Sequence, residues 1–117
     1  MPRSITQLHH PAEMARALSL LVSGYPSEEQ PGYLDTLSRL VSRPAAAEEL
    51  IVFESSDGGR RTGVALAQLL AGKAALVWPV RAADSTLALE LLHLLIEQLR
   101  SRNIADAQAL TAPEQHE

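Results

Sequence analysis

Apolar positions along this chain follow two periods, and the changes between them mark the elements. In "SITQLHH", Ile5, Gln7 and His9 alternate with Thr6, Leu8 and His10, which predicts a first strand over residues 4–10. Pro11 suits the first helical position, where its missing N–H costs nothing. Met14, Leu18, Leu21 and Val22 then share one face of a helix over 12–23, with Gly24 as its C-terminal stop. "SEEQ" at 27–30 has the spacing of a capping box and predicts a second helix start. Pro31 falls in its first turn, Leu34, Leu37, Leu40 and Val41 line its apolar face, and Pro44 ends it. "ELIVFESS" at 49–56 is a strand, and Asp57-Gly58-Gly59 is a hairpin turn. "RRTGVALAQLL" returns as its partner, with Gly63 marking a bulge or a close backbone approach. "AGKA" turns the chain again into "ALVWPV", where Pro79 should interrupt regular pairing. Residues 85–102 form the clearest helix, with Ala88, Leu91, Leu92, Leu95 and Leu99 on its inner face. A last strand over 107–111 follows by a crossover, so it should run parallel to "ALVWP".

These elements fit one domain over residues 1–113, with 114–117 as a polar tail. The fold class is α/β (α+β): a mixed, mostly antiparallel sheet flanked by helices. Hydrophobic residues make up 46% of the 117 and aromatics only 3%, so the core must be Leu, Val and Ala. A net charge of −4 argues against nucleic-acid binding, which needs a basic surface to displace counterions. The absence of cysteine excludes disulfides and thiolate catalysis. The N-terminus lacks the apolar core of a signal peptide, and no apolar run is long enough to span a membrane. A cytoplasmic protein with no membrane contact is the expectation.

The order of elements, with "FESSDGGRRTGVALAQL" and "LVWPVRAADSTLALELLHLLIEQLRSRNIADAQAL", resembles the GNAT superfamily of N-acetyltransferases. In that family two helices follow the first strand. A three-strand meander then leads into a long helix and a fifth strand that splays from the fourth. The resemblance implies transfer of an acetyl group from acetyl-CoA to an amine. It also implies a Gln/Arg-x-x-Gly-x-Gly/Ala turn whose backbone N–H groups hold the coenzyme A pyrophosphate. The matching segment is "RAADSTLA". Arg81 stands at the first position, while Ala82, Ala83, Asp84, Ser85 and Thr86 fill the turn without glycine. The thioester would lie along Leu76, Val77 and Trp78. Asp84 is also a good N-cap, and a capping carboxylate would compete with a phosphate for the same N–H groups. The turn therefore reads both as a cradle and as an ordinary capped corner.

The family continues with a further helix and two strands, so the resemblance is to its N-terminal, cofactor-side part, truncated or degenerate. A second reading follows: a non-catalytic interaction module that forms a homodimer, or pairs with another chain, through the edge of its last strand. Glu54, on a hairpin strand, is the candidate general base. Arg60 and Arg61 beside the turn can bind an anion or simply form a polar tip. His9-His10 would point to opposite faces of a strand, which disfavours one shared metal ion. Glu90, His93 and Glu97 form the outer face of the last helix. No metal site is expected. Trp78 reads as core or as the wall of a cleft.

Overall fold

The computed structural model describes residues 3–110. The chain runs β1 (Arg3–Leu8), α1 (Pro11–Val22), α2 (Gln30–Val41), α3 (Ala46–Glu49), β2 (Leu50–Asp57), β3 (Arg60–Leu70), β4 (Ala74–Val77), β5 (Arg81–Ala82), α4 (Ser85–Ser101) and β6 (Asp106–Ala109). The described strands form one sheet in the order β1-β2-β3-β4-β6, with β5 also paired to β3. All pairs are antiparallel except β4 with β6, which are parallel as the crossover requires.

Helices cover both faces of the sheet because β2 and β3 are apolar on both. Leu50, Val52, Val64 and Leu66 pack with Met14, Leu18, Leu21 and Leu37 beneath α1 and α2. Ile51, Phe53, Ala65 and Ala67 point the other way and pack against Leu87, Leu91, Leu95 and Leu99 of α4. Each leucine removed from water in this way stabilises by roughly 1.5–3 kcal/mol. The α1 face matches the expected periodicity. On α4 Leu91, Leu95 and Leu99 are buried as expected, but Leu87 is the fourth buried residue, and Ala88 and Leu92 are half-buried. On α2 only Leu37 and Val41 are buried, and Leu34 is exposed.

Several boundaries move for identifiable reasons. β1 stops at Leu8, because His10 leaves the strand to cap α1, its Nδ1 accepting the Ala12 N–H. Gly24 is not a left-handed stop. Ser23 closes α1 in a right-handed conformation, and its N–H and hydroxyl both donate to the Leu20 carbonyl. The capping box at Ser27 does not form. Pro26 begins a turn that runs into α2, and the Gln30 side chain donates to the Tyr25 carbonyl instead. Helix α3 was not anticipated. The last strand spans 106–109 rather than 107–111. Thr111, the domain boundary at 113 and the tail lie outside the described residues.

The hairpin turn is as expected, with Gly58 and Gly59 at φ of 61° and 83°. Gly63 meets both expectations placed on it. The β2–β3 register shifts between Ser55 and Ser56, so Thr62 is the extra residue of a bulge. A Cβ at Gly63 would sit 2.8 Å from both Leu91 Cδ1 and Ser55 Oγ, and 3.2 Å from the Arg81 carbonyl. Ser55 and Leu91 are fully buried, so neither has room to yield. Gly63→Ala is expected to lower unfolding free energy by about 1–3 kcal/mol through overpacking. Urea denaturation measures it, and an unchanged midpoint would mean that α4 is not seated on the bulge.

Candidate functional site

The site grows from the break in β4. Its pairing with β3 is regular up to Val77, opposite Ala67, and Trp78 still donates its N–H to the Leu66 carbonyl. Pro79 has no N–H, and pairing resumes only at Arg81 opposite Val64. Three residues, Trp78, Pro79 and Val80, thus stand opposite two, Leu66 and Ala65. Among the described residues the Val80 N–H takes no backbone partner. On the other side β6 pairs as far as Val77, whose carbonyl accepts the Leu110 N–H. Leu76 and Val77 are therefore in ladders on both sides, and the open backbone begins just after them. The side chains of Val77 and Trp78 are buried in the two opposite cores. Trp78 meets Tyr33 edge to face at 6.1 Å, and its indole N–H is buried without a partner among the described residues.

Beyond the break, Arg81 and Ala82 are a strand and not part of a turn. The corner into α4 is thus confined to Ala83 and the N-cap Asp84, and Ser85 and Thr86 are already the first residues of the helix. The Ala83 N–H donates to the Thr62 carbonyl. The Asp84 carboxylate accepts the Leu87 N–H at 2.8 Å, the capping contact anticipated from sequence. The N–H groups of Ser85 and Thr86 lie ahead of that bond in the first turn, where no helical acceptor exists. Both residues are exposed.

A groove of about 630 Å³ opens beside this corner, lined by Asp57, Arg60, Arg61, Thr62, Arg81 and Ala83, with Leu20 at the end of α1. Glu54 lies directly across β3 from Arg81, since both are opposite Val64. The three side chains share the α1 face, and two strand spacings put Glu54 about 10 Å from Arg81. Glu54 is ion-paired with the Arg61 guanidinium, its side chain 21% exposed.

The remaining candidates stay apart. His9 is exposed just after β1, and His93 and Glu97 are exposed on α4, away from the groove. No group of three or more histidine, aspartate or glutamate side chains among the described residues has metal-binding geometry. No helix among the described residues is long and apolar enough to cross a membrane.

The cap at Asp84 has a measurable consequence. Asp84→Ala should cost about 1 kcal/mol of stability, while Asp84→Asn, which keeps the acceptor, should change it by less than about 0.5 kcal/mol. Equal losses for both in thermal unfolding would show that charge, not the capping bond, is what α4 needs.

No family sequence model matches the chain, and no curated relative is found at significant similarity. Similarity to solved structures is extensive. The PaiA N-acetyltransferase of Thermoplasma acidophilum, in complex with coenzyme A, superposes with a TM-score of 0.70 at 10% identity, over 95% of this chain and 80% of that one. The aminoglycoside N-acetyltransferase AAC(6')-Iy in complex with CoA gives 0.67 at 13% identity, over 97% and 80%. A GNAT-family protein from Desulfovibrio desulfuricans gives 0.63 at 14% identity, over 86% and 68%. Over nearly its whole length, the chain has the fold of the GNAT N-acetyltransferases.

Proposed function

We propose that the chain is an acyl-CoA-dependent N-acyltransferase that moves an acetyl group from acetyl-CoA to an amine. The observation that carries this reading is the pairing break at Pro79, which leaves open backbone beside an arginine-lined groove and the start of α4. Structures of the same fold that hold CoA support it.

In this reading the pyrophosphate lies at Ala82, Ala83, Asp84, Ser85 and Thr86, where the free first-turn N–H groups and the helix dipole favour an anion. Arg81 supplies the neighbouring positive charge. The thioester lies along Leu76, Val77 and Trp78, and its carbonyl oxygen reaches the open Val80 N–H. A fixed donor there stabilises the negative charge that develops on oxygen. The amine nitrogen bonds to the acyl carbon, the carbon–sulfur bond breaks, and the thiolate leaves with its electron pair. Glu54 accepts the proton lost by the amine, directly or through one water, which requires its contact with Arg61 to open. Asp84 opposes the phosphate, because its carboxylate stands at the same helix terminus.

Titration of acetyl-CoA into the protein at low salt tests the reading. Saturable binding is expected, weakened at least tenfold when Ser85 and Thr86 are both replaced by Asp and strengthened severalfold in Asp84→Asn. No heat up to millimolar ligand with folded protein would overturn it. Once an acceptor amine is found, Glu54→Gln should lower kcat by about 100-fold, the lower end of what a general base contributes, with CoA affinity unchanged. An unchanged kcat would leave Glu54 as an anchor for Arg61 only.

One observation favours the second reading, a non-catalytic module that pairs through its edge. All four residues of β6 are exposed, and the strand pairs only with β4 among the described residues. An uncovered edge is a template for another strand. Light scattering after size exclusion should then give a dimer that Ala107→Pro disperses: Asp106 and Leu110 turn their N–H groups to β4, so the alternating Ala107 turns its own to the free edge, where proline removes the donor. A monomer at all concentrations would set this reading aside.

A further inference from the structure

We propose that the groove beside the β2–β3 turn recognises phosphate through arginine side chains in place of a glycine turn, and that Ser23 and Gly24 are the positioning residues that hold Arg81 there. The inference rests on the acyl-CoA reading and adds to it the roles of Ser23 and Gly24, which the sequence pattern does not assign.

Arg81 is held at the C-terminal end of α1. Its Nε donates to Ser23 Oγ at 3.2 Å, a contact across 58 residues of sequence. The Ser23 hydroxyl proton is committed to the Leu20 carbonyl at 2.6 Å, so its lone pairs face the guanidinium. The stem and head of Arg81 lie over Gly24. A Cβ there would be 3.3 Å from Arg81 Cδ, 3.4 Å from Nε and 3.5 Å from Cζ. Gly24 has no left-handed φ that would require glycine on backbone grounds. What its missing side chain supplies is the seat for Arg81.

Consequently Arg81 is fixed at its Nε side, and among the described residues its terminal nitrogens have no carboxylate partner. A guanidinium bound through Nε keeps its terminal donors for a second group, and the planar fork matches a phosphate. Arg60 lines the same groove, is exposed and has no ion pair among the described residues. Arg61 is the one already engaged, by Glu54. Among the described residues, Asp57 is the one carboxylate in the groove lining, so Arg60 and Arg81 leave the groove cationic even with Arg61 engaged. Two guanidinium forks suit a phosphoanhydride or phosphomonoester better than a carboxylate substrate, because two or more anionic oxygens can be met at once.

A double-mutant cycle tests this with coenzyme A as the probe. Calorimetric Kd values are compared for the unaltered protein, Ser23→Ala, Arg81→Met, the double variant and Gly24→Val, each checked for an unchanged melting temperature. Arg81→Met should weaken CoA binding by about tenfold or more, and flatten its dependence on salt, as expected for loss of a charge-assisted contact. Ser23→Ala should weaken it by about 3–10-fold with Arg81 present and by less than about twofold in Arg81→Met, because Ser23 acts only through the guanidinium. Gly24→Val should resemble Arg81→Met, and Ser23→Thr should restore binding. Equal losses from Ser23→Ala in both backgrounds, or none in either, would overturn the positioning role. Full affinity in Arg81→Met would overturn arginine recognition while leaving the acyl-CoA reading intact. No CoA binding by the unaltered protein would overturn both.

Discussion

Pro79 cannot donate a hydrogen bond, and β3 has to be paired on either side of it. The result is a strand that stays in register to Trp78, loses one residue of register, and recovers as β5 at Arg81. A backbone N–H left unpaired at a sheet is costly unless water or a ligand takes it, so such a break is stable only where solvent or a substrate can reach. The surroundings keep it open. Trp78 and Val77 anchor the strand in the two cores, and among the described residues β6 pairs no further than Val77. The opening in the sheet is therefore a product of two buried side chains and one missing hydrogen.

The same geometry aligns the charged groups. Once Arg81 stands opposite Val64, it shares a face with Glu54 and lies under the end of α1. The extra residue Thr62 in β3 brings the hairpin back to this end of the sheet, and Gly63 lets α4 approach closely enough for its N-terminus to flank the groove. Bulge, break and helix start are thus one assembly. Removing the extra residue at the break would turn Arg81 to the opposite face.

Much of this was legible in the sequence, and the misses have physical causes. Helices α1 and α4 and the β2–β3 hairpin follow from strong periodicity and a two-glycine turn, signals that need no tertiary context. Pro79 and Gly63 announced the break and the bulge because each lacks something every other residue has. Arg81 and Ala82 read as a turn since two residues carry no period, and only Gly63 and Val64 make them a strand. Leu34 matched a helical apolar stripe, but it lies at the margin of what α2 buries. Ser23 and Gly24 carried a helix-end signal that concealed their contact with a residue 58 positions away. Arg60 and Arg61 were visible as cations, though not that only Arg61 meets Glu54.

The central claim is that the break at Pro79 and the corner into α4 form one cofactor-binding surface. Backbone amide NMR during titration with coenzyme A tests it most directly, because each N–H reports for itself. The account predicts that the Val80, Ser85 and Thr86 amides shift together along one saturation curve, while amides of β1 and β6 stay fixed. Shifts confined to β6, or none at Val80 while Ser85 and Thr86 respond, would contradict it.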